Sequence, residues 1–170
     1  MMCGITGTPG TGKSAIGEEL ARRGHRVVRI AETVGPYTTG TDDERDTRLI
    51  DTDRWAAEFA PVDGFVEGHF AHLLPCDRIV VLRCRPDELE KRLARRQYAQ
   101  RKIRENAEAE ALDACLIETV EAFDPSVILE LDTTVLDVPS CADRIERFCR
   151  GEIPAGFGTL DFSSYLEAGA

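Results

Sequence analysis

The chain divides into short solid apolar runs and longer stripes in which apolar residues recur every three or four positions. Residues 2–6 form an apolar run that stops at Gly7, the pattern of a buried strand. From Gly12 to Arg23 the positions Ala15, Ile16, Leu20 and Ala21 predict an amphipathic helix, closed by Gly24. Arg26–Ile30 reads as a second strand, and Gly64–Glu67, Arg78–Arg83 and Val127–Leu131 as further buried strands. Positions 35–48, with Gly35, Pro36, Gly40 and the acidic run Asp42-Asp43-Glu44-Arg45-Asp46, read as a mobile, solvated excursion. A short strand at Leu49-Ile50 and a helix around Arg54–Phe59 follow. Pro86 suits a first helical turn, with Asp87 and Glu88 at its positive end and Leu89 and Leu93 on one face. One long helix is expected from Gln100 to Phe123, turning Ile103, Ala107, Leu112, Leu116, Val120 and Phe123 inward. A last helix starts near Ser140 and buries Ile145 and Phe148. Strands that alternate with helices imply an α/β fold, a parallel sheet covered on both faces.

Residues 1–150 are expected to form one domain, followed at 151–170 by an irregular tail. The tail's Phe157, Leu160, Phe162, Tyr165 and Leu166 are expected to pack on the domain's own surface. A chain of 170 residues buries about 70% of its unfolded surface, enough for a self-standing core. Apolar residues make up 42% and charged residues 31%, an ordinary globular mix that excludes a disordered or collagen-like chain. No apolar run approaches the ~20 residues of a membrane span, and the first residues lack a signal-peptide pattern, so a cytoplasmic protein without a membrane partner is expected.

Net charge is −10, from 31 acidic against 21 basic residues. Such a surface disfavours direct nucleic-acid binding and is compatible with a basic protein partner. The only lysines are Lys13, Lys91 and Lys102; scarce lysine on an acidic surface fits life at high salt and equally a GC-rich genome. The cysteines at 3, 76, 84, 115, 141 and 149 contain no C-x-x-C pair, so no zinc ribbon or thioredoxin motif is present. They are expected to be small buried hydrophobes without disulfides.

Gly7-Thr8-Pro9-Gly10-Thr11-Gly12-Lys13-Ser14 matches G-x-x-x-x-G-K-[ST] in full, with an apolar strand before it and an amphipathic helix after it. Glycines let successive N–H groups surround phosphate oxygens at the positive end of a helix. Lys13 then reaches the outer phosphates and is expected to pack on nothing else, while the Ser14 hydroxyl binds Mg²⁺. Arg92 and Arg96 lie four apart on one helix face, where two guanidiniums could neutralise a transferring phosphoryl group. Arg95, Arg101, Lys102 and Arg104 surround Gln97-Tyr98-Ala99-Gln100, a dense basic segment that suggests a small closing lid. Glu67 ends a buried strand opposite the P-loop, where Mg²⁺ coordination through water is organised. His69 shares that end of the sheet and fits either a functional or a structural role. His25 and His72 are assigned to surface or packing.

Taken together, the loop G-T-P-G-T-G-K-S, the acidic D-D-E-R-D-T-R-L-I-D-T-D, the strand end V-E-G-H and the stretch R-R-Q-Y-A-Q-R-K-I-R-E-N-A-E-A-E occur in the order of a known group. Over roughly residues 3–150 the chain resembles the atypical adenylate kinases typified by adenylate kinase isoenzyme 6, found in archaea and eukaryotic nuclei. The resemblance implies a P-loop NTPase fold of the nucleoside monophosphate kinase kind. Its five-stranded parallel sheet would be flanked by helices, with a short monophosphate-binding flap (about 30–53) and a small lid (about 95–105). It implies ATP:AMP phosphotransfer with Mg²⁺, weak ATP hydrolysis, and a role in maturing the small ribosomal subunit beside a basic platform ribosomal protein. Carried over by position, the ATP-binding residues are Gly10, Thr11, Gly12, Lys13, Ser14, Ala15 and Arg96. Catalysis falls to Lys13, Glu67, His69, Arg92 and Arg96, and metal binding to Ser14 and Glu67. Two departures stand out: Glu67 occupies the place of the family's aspartate, and Gln97 that of a glycine after the lid arginine, a change that could stiffen the lid's hinge. The alternative reading is an assembly factor whose ATPase switches its grip on a ribosomal protein, with kinase activity incidental. Shikimate-kinase-like chemistry is disfavoured, since no paired aspartates follow the second strand and no triple glycine follows the third.

Overall fold

The computed structural model of the chain describes residues 1–42 and 47–168. In chain order its elements begin with β1 (Met2–Gly7), α1 (Lys13–Arg22), β2 (Val27–Arg29), β3 (Thr38–Asp42) and β4 (Thr47–Ile50). Next come α2 (Thr52–Glu58), β5 (Gly64–Glu67), β6 (Arg78–Arg83), α3 (Pro86–Arg95) and α4 (Gln100–Ala111). The chain continues through α5 (Ala114–Ala122), β7 (Ile128–Asp132), α6 (Val138–Cys149) and α7 (Ser164–Ala168). Five strands form a parallel sheet in the order β2-β5-β1-β6-β7, with β1 at its centre between β5 and β6. This is the parallel α/β sheet that the alternation of strands and helices predicts, in the five-stranded P-loop form that the resemblance implies.

The sheet is buried on both faces, so its strands read as solid apolar runs. Along β6, Ile79 and Val81 face one core with Trp55, Val66 and Leu116, while Val80 and Leu82 face the other with Ile16, Leu20, Ile145 and Phe148. Helices α1 and α6 pack together over the second face. Five of the six unpaired cysteines are buried, as fillers of these layers. Among the described residues no helix is long and apolar enough to cross a membrane.

Three expectations need correction. The helix expected over Gln100–Phe123 breaks at Asp113, whose φ of 56° lies in the left-handed region. The break resets the helical phase, so Leu112 is 58% exposed and Val120 is exposed as well, whereas Ile103, Ala107 and Leu116 do face inward. The excursion at 35–48 is more ordered than its composition suggests: a 3₁₀ turn at Gly35–Tyr37 leads into the antiparallel hairpin β3–β4, where β-branched threonines favour strand. The remainder of the acidic run, 43–46, lies outside the described residues.

The tail expected to be irregular holds one short helix and extends the sheet. Gly156 pairs with Leu129 at the free edge of β7, through bonds from Gly156 N to Ile128 O and from Glu130 N to Gly156 O. The N–H groups of Gly158 and Thr159 donate to the Glu130 carboxylate at 2.8 and 3.2 Å. As expected, the tail's aromatics pack on the domain: Phe157 on the core, Phe162 over the Arg83 guanidinium, and Tyr165 donating to Glu90 at 2.8 Å. A chain ended after Arg150 should therefore melt lower by about 6 °C or more, the shift that roughly 3 kcal/mol produces at this size. Thermal unfolding monitored by circular dichroism checks this, and an unchanged midpoint would show the tail to be dispensable to the fold.

Candidate functional site

Strand β1 delivers the chain into the loop Gly7–Gly12 at the carboxyl end of the sheet. Gly7 sits at φ +141°, and a Cβ there would lie 2.5 Å from the Leu82 carbonyl oxygen, so only glycine permits this strand exit. The loop closes on itself through Thr11 N and Thr11 Oγ1, both donating to the Thr8 carbonyl at 3.2 and 2.9 Å. Gly12 is the N-cap of α1, and no side chain caps that helix. Its first-turn N–H groups and positive dipole end are thus open to an anion, as the motif requires. Lys13, expected to pack on nothing, is folded back onto the loop: Nζ donates to the carbonyls of Gly7 at 2.7 Å and Thr8 at 2.9 Å. Burial lowers its pKa to about 8.

Glu67 ends β5 beside this loop, 5% exposed. Burial raises its pKa, opposed by the charges of Lys13 and Arg29 and by the neighbouring Ser14 hydroxyl. A Cβ on Gly17 would approach Glu67 Cγ to 3.1 Å, so a glycine in mid-helix lets α1 lie close against the carboxylate. One hydroxyl and one carboxylate at the phosphate loop suit Mg²⁺, which takes one or two protein side chains and completes its shell with phosphate oxygens and water. No group of three or more His, Cys, Asp and Glu that could hold a metal occurs among the described residues. This donor set therefore fits a metal that arrives with a nucleotide.

His69 Nδ1 lies 3.2 Å from the Gly7 carbonyl. Burial and the Lys13 charge lower its pKa, favouring the neutral ring. The carbonyl selects the Nδ1–H tautomer, which leaves Nε2 as an acceptor. His72 is buried, bonded to the Thr6 hydroxyl at 3.0 Å and facing Glu118 at 3.1 Å, and His25 is paired with Glu146 at 2.6 Å. His72 thus packs in the interior, and His25 lies at the surface.

Two clefts meet at the loop. One, of about 300 Å³, lies between the loop, Glu67, His69 and the flap side, with an apolar wall of Ile30, Val34, Ile50, Phe70 and Tyr98. The other, of about 490 Å³, lies between Gly10–Gly12, Ala15, the arginines of α3 and the segment Thr133–Val138. Gly10, Gly12 and Arg96 line both. The α3 arginines are not equivalent. Arg92 spends its N–H groups on Thr133, at 3.1 Å to Oγ1 and 2.8 Å to the carbonyl, and stands near Glu88. Among the described residues the exposed Arg96 guanidinium has no ion-pair or hydrogen-bond partner. Beside the first cleft, Trp55 of α2 is fully buried, with Nε1 donating to the Thr33 hydroxyl at 2.9 Å.

Sequence reasoning missed the Thr133–Val138 wall, although its place just beyond a parallel strand's carboxyl end was a usable signal. It also missed the buried Arg83–Glu110 pair behind the loop, which no motif announces.

The family model described as an AAA domain matches residues 3–113. The chain is 38% identical over 171 residues to a protein of Archaeoglobus fulgidus named "Putative adenylate kinase", covering 98% of this chain and 94% of that one. It is 40% identical over 169 residues to a protein of the same name from Natronomonas pharaonis, covering 98% and 100%. Among solved structures, a deoxyadenosine kinase from M. mycoides matches with a TM-score of 0.61 at 13% identity, over 90% of this chain and 100% of that one. A sugar kinase from Janibacter sp. matches with a TM-score of 0.58 at 15% identity, covering 88% and 94%. These two show the fold.

Lys13 gives the site a pH signature. As pH rises through about 8 the nucleotide-free protein loses the ammonium charge. A bound triphosphate would hold that charge, so binding takes up a proton and affinity falls above this pH. Calorimetric titration with ATP between pH 7 and 9.5, in buffers of different ionisation enthalpy, should show affinity declining and proton uptake appearing. Pure proton release over that range would contradict it.

Proposed function

The chain belongs to the adenylate-kinase-like nucleoside monophosphate kinases within the P-loop AAA-domain family, and from that premise we propose that it transfers the γ-phosphoryl group of ATP to AMP. The carrying observation is that the two clefts meet at one phosphate loop, with Arg96 lining both. ATP would enter on the Arg92 and Thr133 side and AMP on the flap side, its base against Ile30, Val34, Ile50, Phe70 and Tyr98. An oxygen of the AMP phosphate attacks the γ-phosphorus, the bond to the β–γ bridging oxygen breaks, and two ADP leave.

The residues' work is positioning and charge. The loop N–H groups of Gly10, Thr11, Gly12, Lys13, Ser14 and Ala15 hold the triphosphate, and the Lys13 ammonium turns from its own loop carbonyls to the outer phosphates. Ser14 and Glu67 would hold Mg²⁺, which would supply positive charge to offset that of the phosphates. Arg96, unpaired among the described residues, swings over the transferring group. Arg92, engaged with Thr133, fixes the donor cleft's wall and supports Arg96 from one turn away. Neutral His69 accepts at Nε2 and so orients a water beside the acceptor phosphate. ATP hydrolysis follows when water takes the acceptor's place.

A role in small-subunit maturation beside a basic ribosomal protein is a second reading, supported by the net charge of −10. The aromatic tail adds nothing to it, because Phe157, Phe162 and Tyr165 are engaged within the chain. ATP turnover with and without AMP separates the two readings. The kinase reading expects strong stimulation by AMP and two ADP per ATP consumed; no stimulation and one ADP would overturn it in favour of an ATPase switch.

Glu67→Gln keeps shape and removes charge where negative charge reorganises. Turnover should fall about 10²-fold or more, while ATP affinity changes much less. Glu67→Asp should retain much of the activity. Steady-state kinetics beside binding titrations decide the point, and turnover equal to the parent in Glu67→Gln would show that the carboxylate only ends its strand.

A further inference from the structure

We propose that Glu110 is a positioning residue for the phosphate loop, joining the lid-bearing helices α3 and α4 to Thr8 through one buried carboxylate. Glu110 is 1% exposed. Its Oε2 accepts from the Thr8 hydroxyl at 2.5 Å, and its Oε1 from Arg83 Nε at 2.8 Å and from the Cys84 N–H at 3.0 Å. Cys84 leads directly into α3, and Glu110 lies in the last turn of α4. The two ends of the helical hairpin that carries Arg96 are therefore tied at a single point to the loop.

The tie bears on the nucleotide because of what else Thr8 holds. Its carbonyl accepts from Lys13 Nζ at 2.9 Å, Thr11 N at 3.2 Å and Thr11 Oγ1 at 2.9 Å. A displacement of Thr8 moves the resting place of Lys13 and the turn that aims the loop's N–H groups together. Thr8 is 3% exposed, so water has little access to replace the bond. The rest of Glu110's interactions need no loop: Arg83 also binds Glu130 at 2.7 Å, Asp113, and the Glu110 carbonyl at 3.1 Å. A charge placed only to pair with Arg83 would leave Thr8 free. Here the spare oxygen of the carboxylate is spent on the loop, and preorganised N–H donors are what a triphosphate meets first.

The inference rests on the P-loop reading but not on AMP as acceptor, so it is read from ATP affinity measured without AMP. Thr8→Val is nearly isosteric and removes the bond while leaving the Arg83 cluster intact. Losing a charge-assisted bond that orders the loop should weaken ATP binding about tenfold or more in calorimetric titration. Thr8→Ser, which restores the hydroxyl, should return affinity to within about threefold of the parent. Circular dichroism establishes that each variant is folded at the titration temperature; where Thr8→Val is not, Thr8→Ala removes the same bond with less bulk beside Glu110. A merely structural bond predicts a lower melting temperature with ATP affinity unchanged. Affinity within about twofold of the parent in the folded hydroxyl-less variant overturns the proposal, and so does a loss that Thr8→Ser fails to restore.

Discussion

Arg83 is a guanidinium taken out of water at the end of β6, next to the central strand, and much of the molecule is arranged to satisfy it. It is 1% exposed, and its N–H groups reach Glu110 on α4, Glu130 on β7 and Asp113 at the break between α4 and α5. Phe162 of the tail lies over its face at 5.3 Å. Burial disfavours the charged form, but Glu110 and Asp113 more than offset it and hold the pKa above its ordinary value. A buried ion cluster is weak evidence for stability, because desolvation cancels much of the attraction. It is strong evidence for geometry, since removing one partner strands the others at a cost of about 3–5 kcal/mol. The placement of α4, of the helix break and of the tail follows from this single side chain.

That placement also fixes α3 against the phosphate loop. A Cβ at Gly10 would lie 2.8 Å from Leu89 Cδ1 and 3.0 Å from Leu93 Cδ2, so the loop's turn is pressed directly onto α3. Leu89 and Leu93 share a small core with Cys84 and Ile103, which brings α4 into the same unit. With the loop touching one face of α3 and Thr133 gripping Arg92, the next turn carries Arg96 to the junction of the two clefts. Phosphoryl transfer asks little covalent work of a protein and much charge held in position. Short apolar contacts on one side and a satisfied arginine on the other supply that positioning.

The parts of this arrangement that were legible in sequence are the ones whose signal is local. Arg78–Arg83 and Gly64–Glu67 are readable to the residue because both faces of each strand are buried, leaving solid apolar runs bounded by polar or glycine residues. The phosphate loop is legible because its chemistry demands glycines at fixed spacing, and Glu67 because it ends a strand beside that loop. The helix break at Asp113 was not legible: Leu112, Leu116 and Val120 continue a helical stripe, and nothing nearby in sequence shows that Asp113 is drawn to Arg83, thirty positions earlier. Tertiary electrostatics overrides propensity there. The β3–β4 hairpin was hidden for the opposite reason, since glycine, proline and acidic residues mask the threonines that pair. Arg92 and Arg96 share a helix face as their spacing requires, yet spacing alone does not show that Thr133 has claimed one of them.

Gln97 shows how a departure at one position can be read once the backbone is known. Helix α3 ends with Gln97 N–H donating to the Ala94 carbonyl at 2.9 Å and Tyr98 N–H to the Leu93 carbonyl at 3.3 Å. This pairing needs a left-handed residue between them, and Gln97 supplies it at φ 60°. The same pairing closes α1, where Gly24 fills the position at φ +93°. A glycine is what the geometry of such a turn favours, and the resembling group has one after its lid arginine. A glutamine there carries about 1–2 kcal/mol of strain in the folded chain and has fewer alternative conformations when the turn opens. The first effect weakens the turn and the second stiffens it, so the substitution changes the turn's stability less than either alone would. Tyr98, packed on the small core beside Leu93, adds an apolar contact that favours the turn. The turn after α3 is thus held by an aromatic contact beside Leu93 rather than by the freedom of a glycine, and Tyr98 also lines the cleft of about 300 Å³ at the phosphate loop.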